Sequence, residues 1–233
     1  MSEIPAPEAE DVRQAWSRVT NWLEQNAPDV FATLGGPGSS TAVSDAEERM
    51  GLKLPKELRQ WLLANDVGTG KQPDAGSCLV ALGCAGVIPS GGLLLGLTDI
   101  ERVYSHKVDM EEMEPSEDSD YPSWRREWVP IVAESDGFYG RFLNTRTGGV
   151  GSWNEGSNPE EGEFTSLFAF FQDVADHLEG VSSGVAREST GGRMHNHGPE
   201  GEAIRLWARA NGYLVNDNGR ILASIREAYE ASL

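Results

Sequence analysis

The chain has 233 residues, 39% of them hydrophobic, and a net charge of −18 with seven Trp and seven Phe. That length suits one sizeable domain with a small one beside it, and the acidic balance sets most of the surface against nucleic acid. No apolar run approaches the ~20 residues needed to cross a bilayer. Met1 is followed by Glu3, Glu8, Glu10 and Asp11 rather than by a basic and then an apolar leader, so no export signal is read and a reducing cytoplasm is the expected compartment. Cys78 and Cys84, with five residues between them, have the spacing of neither a disulfide framework nor a zinc site.

Residues 1–11 are Pro- and Glu-rich and are expected to be disordered. Val12, Ala15, Trp16, Val19, Trp22 and Leu23 recur on one face of a helix. Gly35-Gly36-Pro37-Gly38-Ser39-Ser40 reads as a flexible loop. Ser44 and Glu47 have capping-box spacing at the start of a short helix that stops at Gly51. Pro55 suits the first turn of a third helix, whose buried face is Leu58, Trp61 and Leu62. Cys78–Leu82 and Leu93–Leu97 are short apolar runs and read as buried strands. Thr98 and Glu101 suggest another capping box, with Ile100, Val103 and Tyr104 turned inward.

A run of acids follows, Asp109, Glu111, Glu112, Glu114, Glu117, Asp118 and Asp120, with no base among them. It is either a solvated loop or a patch that attracts a basic partner. Trp128–Ala133 and Phe138–Thr145 read as a hairpin around Asp136-Gly137, and Thr147-Gly148-Gly149 turns into a strand at Val150–Trp153. Glu155 to Glu163 reads as a second acidic loop. Leu167, Phe168, Phe171, Val174, Ala175 and Leu178 then form the apolar stripe of a last helix, ended by Gly180. The expected architecture over 12–180 is therefore α+β, helices packed on a mostly antiparallel sheet. Residues 181–198 are Ser/Gly-rich without apolar periodicity and read as a flexible linker.

Residues 199–233 predict a small two-helix module. Ile204, Trp207 and Ala208 share one helix face, Asn211-Gly212 ends that helix, and Ile221, Ile225 and Ala228/Tyr229 make the second face. Two helices of this size bury little surface alone.

Two resemblances come from these residues. Trp16 and Trp22, Ala46-Glu47 with Gly51, Leu54-Pro55-x-Glu57-Leu58 with Asn65-Asp66, and Trp128-Val129-Pro130-Ile131 with Gly148-x-Val150 and Trp153 resemble the SUKH superfamily in order and spacing. That superfamily includes yeast cell-wall-synthesis regulators and bacterial immunity proteins. The resemblance implies a non-enzymatic binding protein whose partner is a basic toxin, a nuclease among the options, met by a carboxylate patch that speeds encounter. Asn144 stands where many members have Asp.

The tail resembles the C-terminal DNA-binding domain of the actinobacterial H-NS-like nucleoid silencers, through Ile204, Arg205, Trp207, Ala208, Gly212, Tyr213, Val215, Gly219, Arg220, Ile221, Glu227, Ala228 and Tyr229. In that family an Arg-Gly-Arg turn enters a narrow A·T-rich minor groove. The resemblance implies DNA contacts by Arg220, Gly219, Asn218 and Arg205, and association with the nucleoid. Asn218 replaces the first arginine of the turn and Leu222 stands in place of a proline. The tail carries four arginines against five acids, and its helix pair is also similar to small modules that dock on proteins, so DNA and protein both remain open as its target.

Enzymatic motifs are lacking. His195-Asn196-His197 lies in the linker, Glu47-Glu48 is explained by capping, and Gly35–Gly38 has no following lysine to hold phosphate. No cofactor or metal is expected. The alternative to immunity is a DNA-tethered regulator whose body senses another protein.

Overall fold

Apolar residues three and four apart set the helices, and a meander of short strands completes the first unit. The computed structural model describes residues 11–73, 78–116, 122–154 and 157–180, together with Trp207 and Tyr229. The chain divides into two units, Met1–Gly184 and Val185–Leu233. The described elements of the first are α1 (Val12–Asn26), α2 (Pro28–Phe31), α3 (Ser40–Met50), α4 (Lys56–Ala64), β1 (Leu93–Leu94), α5 (Leu97–Met113), β2 (Trp128–Ala133), β3 (Tyr139–Asn144), β4 (Val150–Asn154), β5 (Ser157–Phe164) and α6 (Leu167–Leu178). The class is α+β, as the sequence predicts.

The strands pair antiparallel in chain order, β1-β2-β3-β4-β5, with Trp128 opposite Asn144 and Tyr139 opposite Asn154. Helix α1 packs along α6 and against α4, while α5 lies on β2 and touches α3. Every residue of β2 is buried, because this strand is covered on both faces.

Two aromatic clusters fill the interior. Trp16, Trp61 and Phe171 join α1, α4 and α6, with ring centroids 5.5, 5.0 and 5.3 Å apart. Trp124, Trp128, Phe142 and Trp153 cover the sheet, with Trp128 and Phe142 stacked at 4.4 Å. Such pairs add about 0.5–1.5 kcal/mol each beyond their area. Two glycines make room for these rings. A Cβ on Gly140 would lie 2.3 Å from the Trp153 ring, and one on Gly151 would lie 2.6 Å from the Phe142 ring.

Several expected elements are placed differently. Cys78–Leu82 forms no strand. The Leu79 and Val80 amides bond the Ser135 carbonyl, and the Ala81 and Leu82 amides bond the Asp99 carboxylate at 3.1 and 2.7 Å. With its donors taken this way, the segment needs no neighbouring strand. Only Leu93–Leu94 of the second apolar run is extended, and Leu97 begins α5. The Ser44–Glu47 box is not formed, because α3 starts earlier, with Ser39 as its cap accepting from the Ala42 amide. The Thr98–Glu101 box is replaced by a distant cap. Gly96 precedes α5, and the Asp66 carboxylate accepts from the Leu97 amide at 2.8 Å. Burial pushes the Asp66 carboxyl above its ordinary value, against the opposing pull of that amide.

Asp109 to Met113 is the last turn of α5 rather than loop, and residues 157–163 of the expected second acidic loop belong to strand β5. β5 is polar and exposed over most of its length, so no apolar alternation marks it. The Gly35–Ser40 stretch is pinned rather than free, with Gly38 donating to the Leu62 carbonyl and Asp66 donating to that of Gly36. Phe170, absent from the stripe read for α6, is buried, whereas Phe168 is half-buried.

Asp99 is fully buried and also pairs with Arg102 at 3.2 Å. Replacing it by Ala leaves two amides and a guanidinium without their acceptor. Asp99→Ala is expected to cost about 3–5 kcal/mol, read from urea unfolding, whereas Asp99→Asn should cost less because its carbonyl oxygen still accepts.

Candidate functional site

Helix α5 is buried through its first half and exposed at its end. Leu97, Asp99, Ile100, Val103 and Tyr104 face the core. Asp109, Met110, Glu112 and Met113 are exposed on the last turns, and Glu114 caps the helix in the open. Of the predicted partner-binding acids, Asp109, Glu112 and Glu114 are exposed at this end of the helix. Glu112 bonds the Arg126 guanidinium. Glu117, Asp118 and Asp120 lie outside the described residues.

Glu111 turns the other way. Its carboxylate accepts from the Ser116 amide and hydroxyl, both at 3.1 Å, from the Ser123 amide at 3.0 Å and from the Trp124 amide at 3.3 Å. The Ser123 hydroxyl donates to it as well. Glu111 thus ties the end of α5 to the segment entering β2. Burial alone would raise its pKa, but the bonds from Ser123, Ser116 and Trp124 outweigh that and hold it below the ordinary value of 4.5. Nothing in the spacing of Glu111 and its partners betrays this, since the contacts reach across residues with no periodic relation.

A second acidic strip, not read from the sequence as a site, lies on β5. Glu160 and Glu161 are exposed there. Glu161 accepts from the Asn144 amide group at 2.9 Å, with Arg125 4.0 Å away. Asn144 is buried, and its carbonyl oxygen takes the Arg146 and Thr147 amides of the β3–β4 turn at 2.9 and 3.3 Å. An amide can accept from the turn and donate to Glu161 at once. A carboxylate could do only the first, which is the physical sense of Asn at a position where the resembled family often has Asp.

Other candidates are structural. Glu47 is buried and held by Lys53 at 2.8 Å, Arg59 at 2.9 Å and the Leu54 amide at 3.1 Å. Burial raises its pKa, but these partners prevail and the net direction is down. A cleft of about 540 Å³ opens where α1, α4 and α6 begin. Its carboxylates are committed. Asp11 caps α1 and is held at a pKa of about 2 by Arg13, while Glu57 accepts from the Leu167 and Phe168 amides at 2.9 and 3.2 Å. Trp16 and Trp61 are core residues. Cys78 and Cys84 are free thiols. Among the described residues no cluster of three or more His, Cys, Asp or Glu is placed to hold a metal ion, and no helix is long and apolar enough to cross a membrane.

In the second unit, Trp207 and Tyr229 are helical and meet edge-on, their centroids 5.6 Å apart at 70°. Each of these two residues belongs to one of the apolar faces predicted for the tail. Arg205, Asn218, Gly219 and Arg220 lie outside the described residues, as does His195-Asn196-His197.

Comparison with known proteins gives two matches along the chain. Residues 37–179 match the SMI1 / KNR4 family (SUKH-1), and residues 197–232 match the Lsr2 DNA-binding domain. A KNR4/SMI1 homolog 1 from Debaryomyces hansenii is 32% identical over 87 residues, which cover 37% of this chain and 16% of that protein.

Two outcomes follow from these contacts. Glu111→Ala should cost about 1–3 kcal/mol by stranding its donors. Because its folded pKa is depressed, the contribution of Glu111 is complete above its ordinary value of 4.5 and is lost as pH falls through the lower folded value. Amide protection at Ser116, Ser123 and Trp124, taken against the free-peptide rate at each pH, should fall in that acid window for wild type, while Glu111→Ala lacks it at neutral pH as well. Asn144→Asp should lower stability by about 1–2 kcal/mol at neutral pH by setting a second carboxylate against Glu161. Recovery of that loss on acidification, followed by urea unfolding, is the signature; a neutral effect at pH 7 would show that Arg125 absorbs the added charge.

Proposed function

Since the chain belongs to the SMI1/KNR4 (SUKH-1) family, we propose that it is a non-enzymatic binding protein of the immunity or antitoxin kind, equipped with a DNA-attachment module. The observation that carries this reading is the pair of matches in one chain, a SUKH-1 body at 37–179 followed by an Lsr2 DNA-binding segment at 197–232. The body meets a basic protein partner, a toxin or nuclease, through Asp109, Glu112 and Glu114 at the end of α5 and through the acids that follow, Glu117, Asp118 and Asp120. Glu111 supports that surface from beneath. Residues 1–198 carry 15 Lys and Arg against 32 Asp and Glu, a charge of −17, which speeds encounter with a cationic cleft.

The module at 199–233, tethered by 181–198, places Arg220 in an A·T-rich minor groove, with Gly219 allowing close approach and Asn218 and Arg205 adding polar and phosphate contacts. One arginine in place of two, on an acidic body, makes monomeric binding weak. It becomes useful through avidity, or once a basic partner masks the body. The protein then works in the cytoplasm at the nucleoid. A second reading, favoured by the DNA-binding match itself, is a regulator whose body senses a protein while the tail holds it at A·T-rich loci. Asn218 and the five acids of the tail favour a third, docking of the tail on protein.

The full chain should bind an A·T-rich duplex in low salt more tightly than a G·C-rich one. Arg220→Ala should weaken this by ~10-fold or more and reduce the salt slope by about one. Equal binding by wild type and Arg220→Ala, or none by either, removes the DNA role and leaves protein docking by the tail. Co-purification with the product of an adjacent gene tests the immunity role.

A further inference from the structure

Resting on the reading of the body as a binder of basic protein, we infer that the end of α5 is an apolar-anchored docking face for a cationic amphipathic helix of the partner, with Met110 and Met113 as the anchors. Four large hydrophobic side chains are exposed among the described residues, and two of them are Met110, at 44%, and Met113, at 73%. They stand three apart and so are neighbours on the helix. His106, exposed one turn earlier, continues the same stripe at a spacing of four from Met110. Asp109 and Glu112 border this stripe on one side, and Glu114 borders it on the other.

The composition is unlike a solvated helix face. The inward face of α5 is buried up to Tyr104 and packs on as far as Val108, while Met110 and Met113 are exposed beyond it. Methionine is flexible and polarisable, and it adapts to a partner whose shape is not fixed in advance. Carboxylates around an apolar strip select an occupant with the opposite arrangement, an apolar row between lysines or arginines. A second copy of this chain is disfavoured, because it would bring the same carboxylates together. A polyanion is disfavoured for the same reason.

Among the described residues Asp109 and Glu114 make no ion pair, and Arg126 is the sole cation paired with Glu112. Glu111 keeps the face in place without belonging to it, since its carboxylate is spent on Ser116, Ser123 and Trp124. The face is therefore a rigid helix end with charge left over, not a loop that must order on binding.

The test uses the full chain and three defined probes in low salt: an amphipathic Leu/Lys helical peptide, a scrambled peptide of the same composition, and oligolysine. Wild type should prefer the amphipathic peptide over the scrambled one. The double substitution Met110→Ser with Met113→Ser should weaken the amphipathic peptide by ~10-fold, the scale of lost anchor residues, and leave oligolysine unchanged. Asp109→Asn with Glu114→Gln should weaken all three. Phe138→Ser, at another exposed hydrophobic residue, should change none, and matching thermal melts should show that the variants are folded. An amphipathic peptide that binds the methionine variant as tightly as wild type, or that loses as much with Phe138→Ser, overturns this docking face while the basic-partner reading stands. If no cationic probe binds wild type, both fall together.

Discussion

A backbone N–H taken out of water must find an acceptor, and this body has long irregular stretches whose amides no strand or helix can serve. Carboxylates meet the need. Asp99 takes the amides of Ala81 and Leu82, and Asp66 takes that of Leu97. Glu47 takes Leu54, Glu57 takes Leu167 and Phe168, and Glu111 takes Ser116, Ser123 and Trp124. Each links parts of the chain that are not consecutive elements of a ladder. The start of α5, the start of α6 and the approach to β2 are all positioned in this way.

The acidity of the chain therefore has two populations. One is inside or half-inside and bonded to backbone or to arginine. The other is exposed to whatever approaches, on α1, α3 and the β2–β3 turn as well as on the end of α5 and along β5. The first explains why an acidic chain can still build a packed α+β body. The second gives that body its field. Glu111 and Glu112 are adjacent in sequence yet fall into different populations, one holding the β2 approach and the other standing in solvent beside Arg126. The proposed functional surface is thus supported by the same chemistry that organises the core.

In the proposed reading the SMI1/KNR4 body binds protein, and the segment matching the Lsr2 DNA-binding domain would add DNA as a second kind of partner. The two work against each other electrostatically, since the body repels the polyanion that the tail would read. A basic partner on the body would relieve that conflict. Binding of protein and attachment to DNA would then be linked through charge alone, without any change of shape.

Local pattern was legible where burial repeats with the period of the element. The faces of α1, α4 and α6, the hairpin around Asp136-Gly137 and the resemblance to SUKH proteins could all be read along the chain, because each depends on residues close in sequence. β5 was missed because an exposed edge strand needs no apolar alternation, and it is held instead by backbone pairing with β4 and by Asn144, Arg141 and Ser152 reaching its glutamates. The capping boxes at Ser44 and Thr98 had the right letters, yet the helix starts were set by Ser39 and by Asp66 from another segment. Composition and periodicity by themselves determined the class of fold, the acidic character and the two-part plan. Only the tertiary structure decided which carboxylates are interior acceptors and which remain at the surface, because that depends on which unpaired amides folding brings within reach.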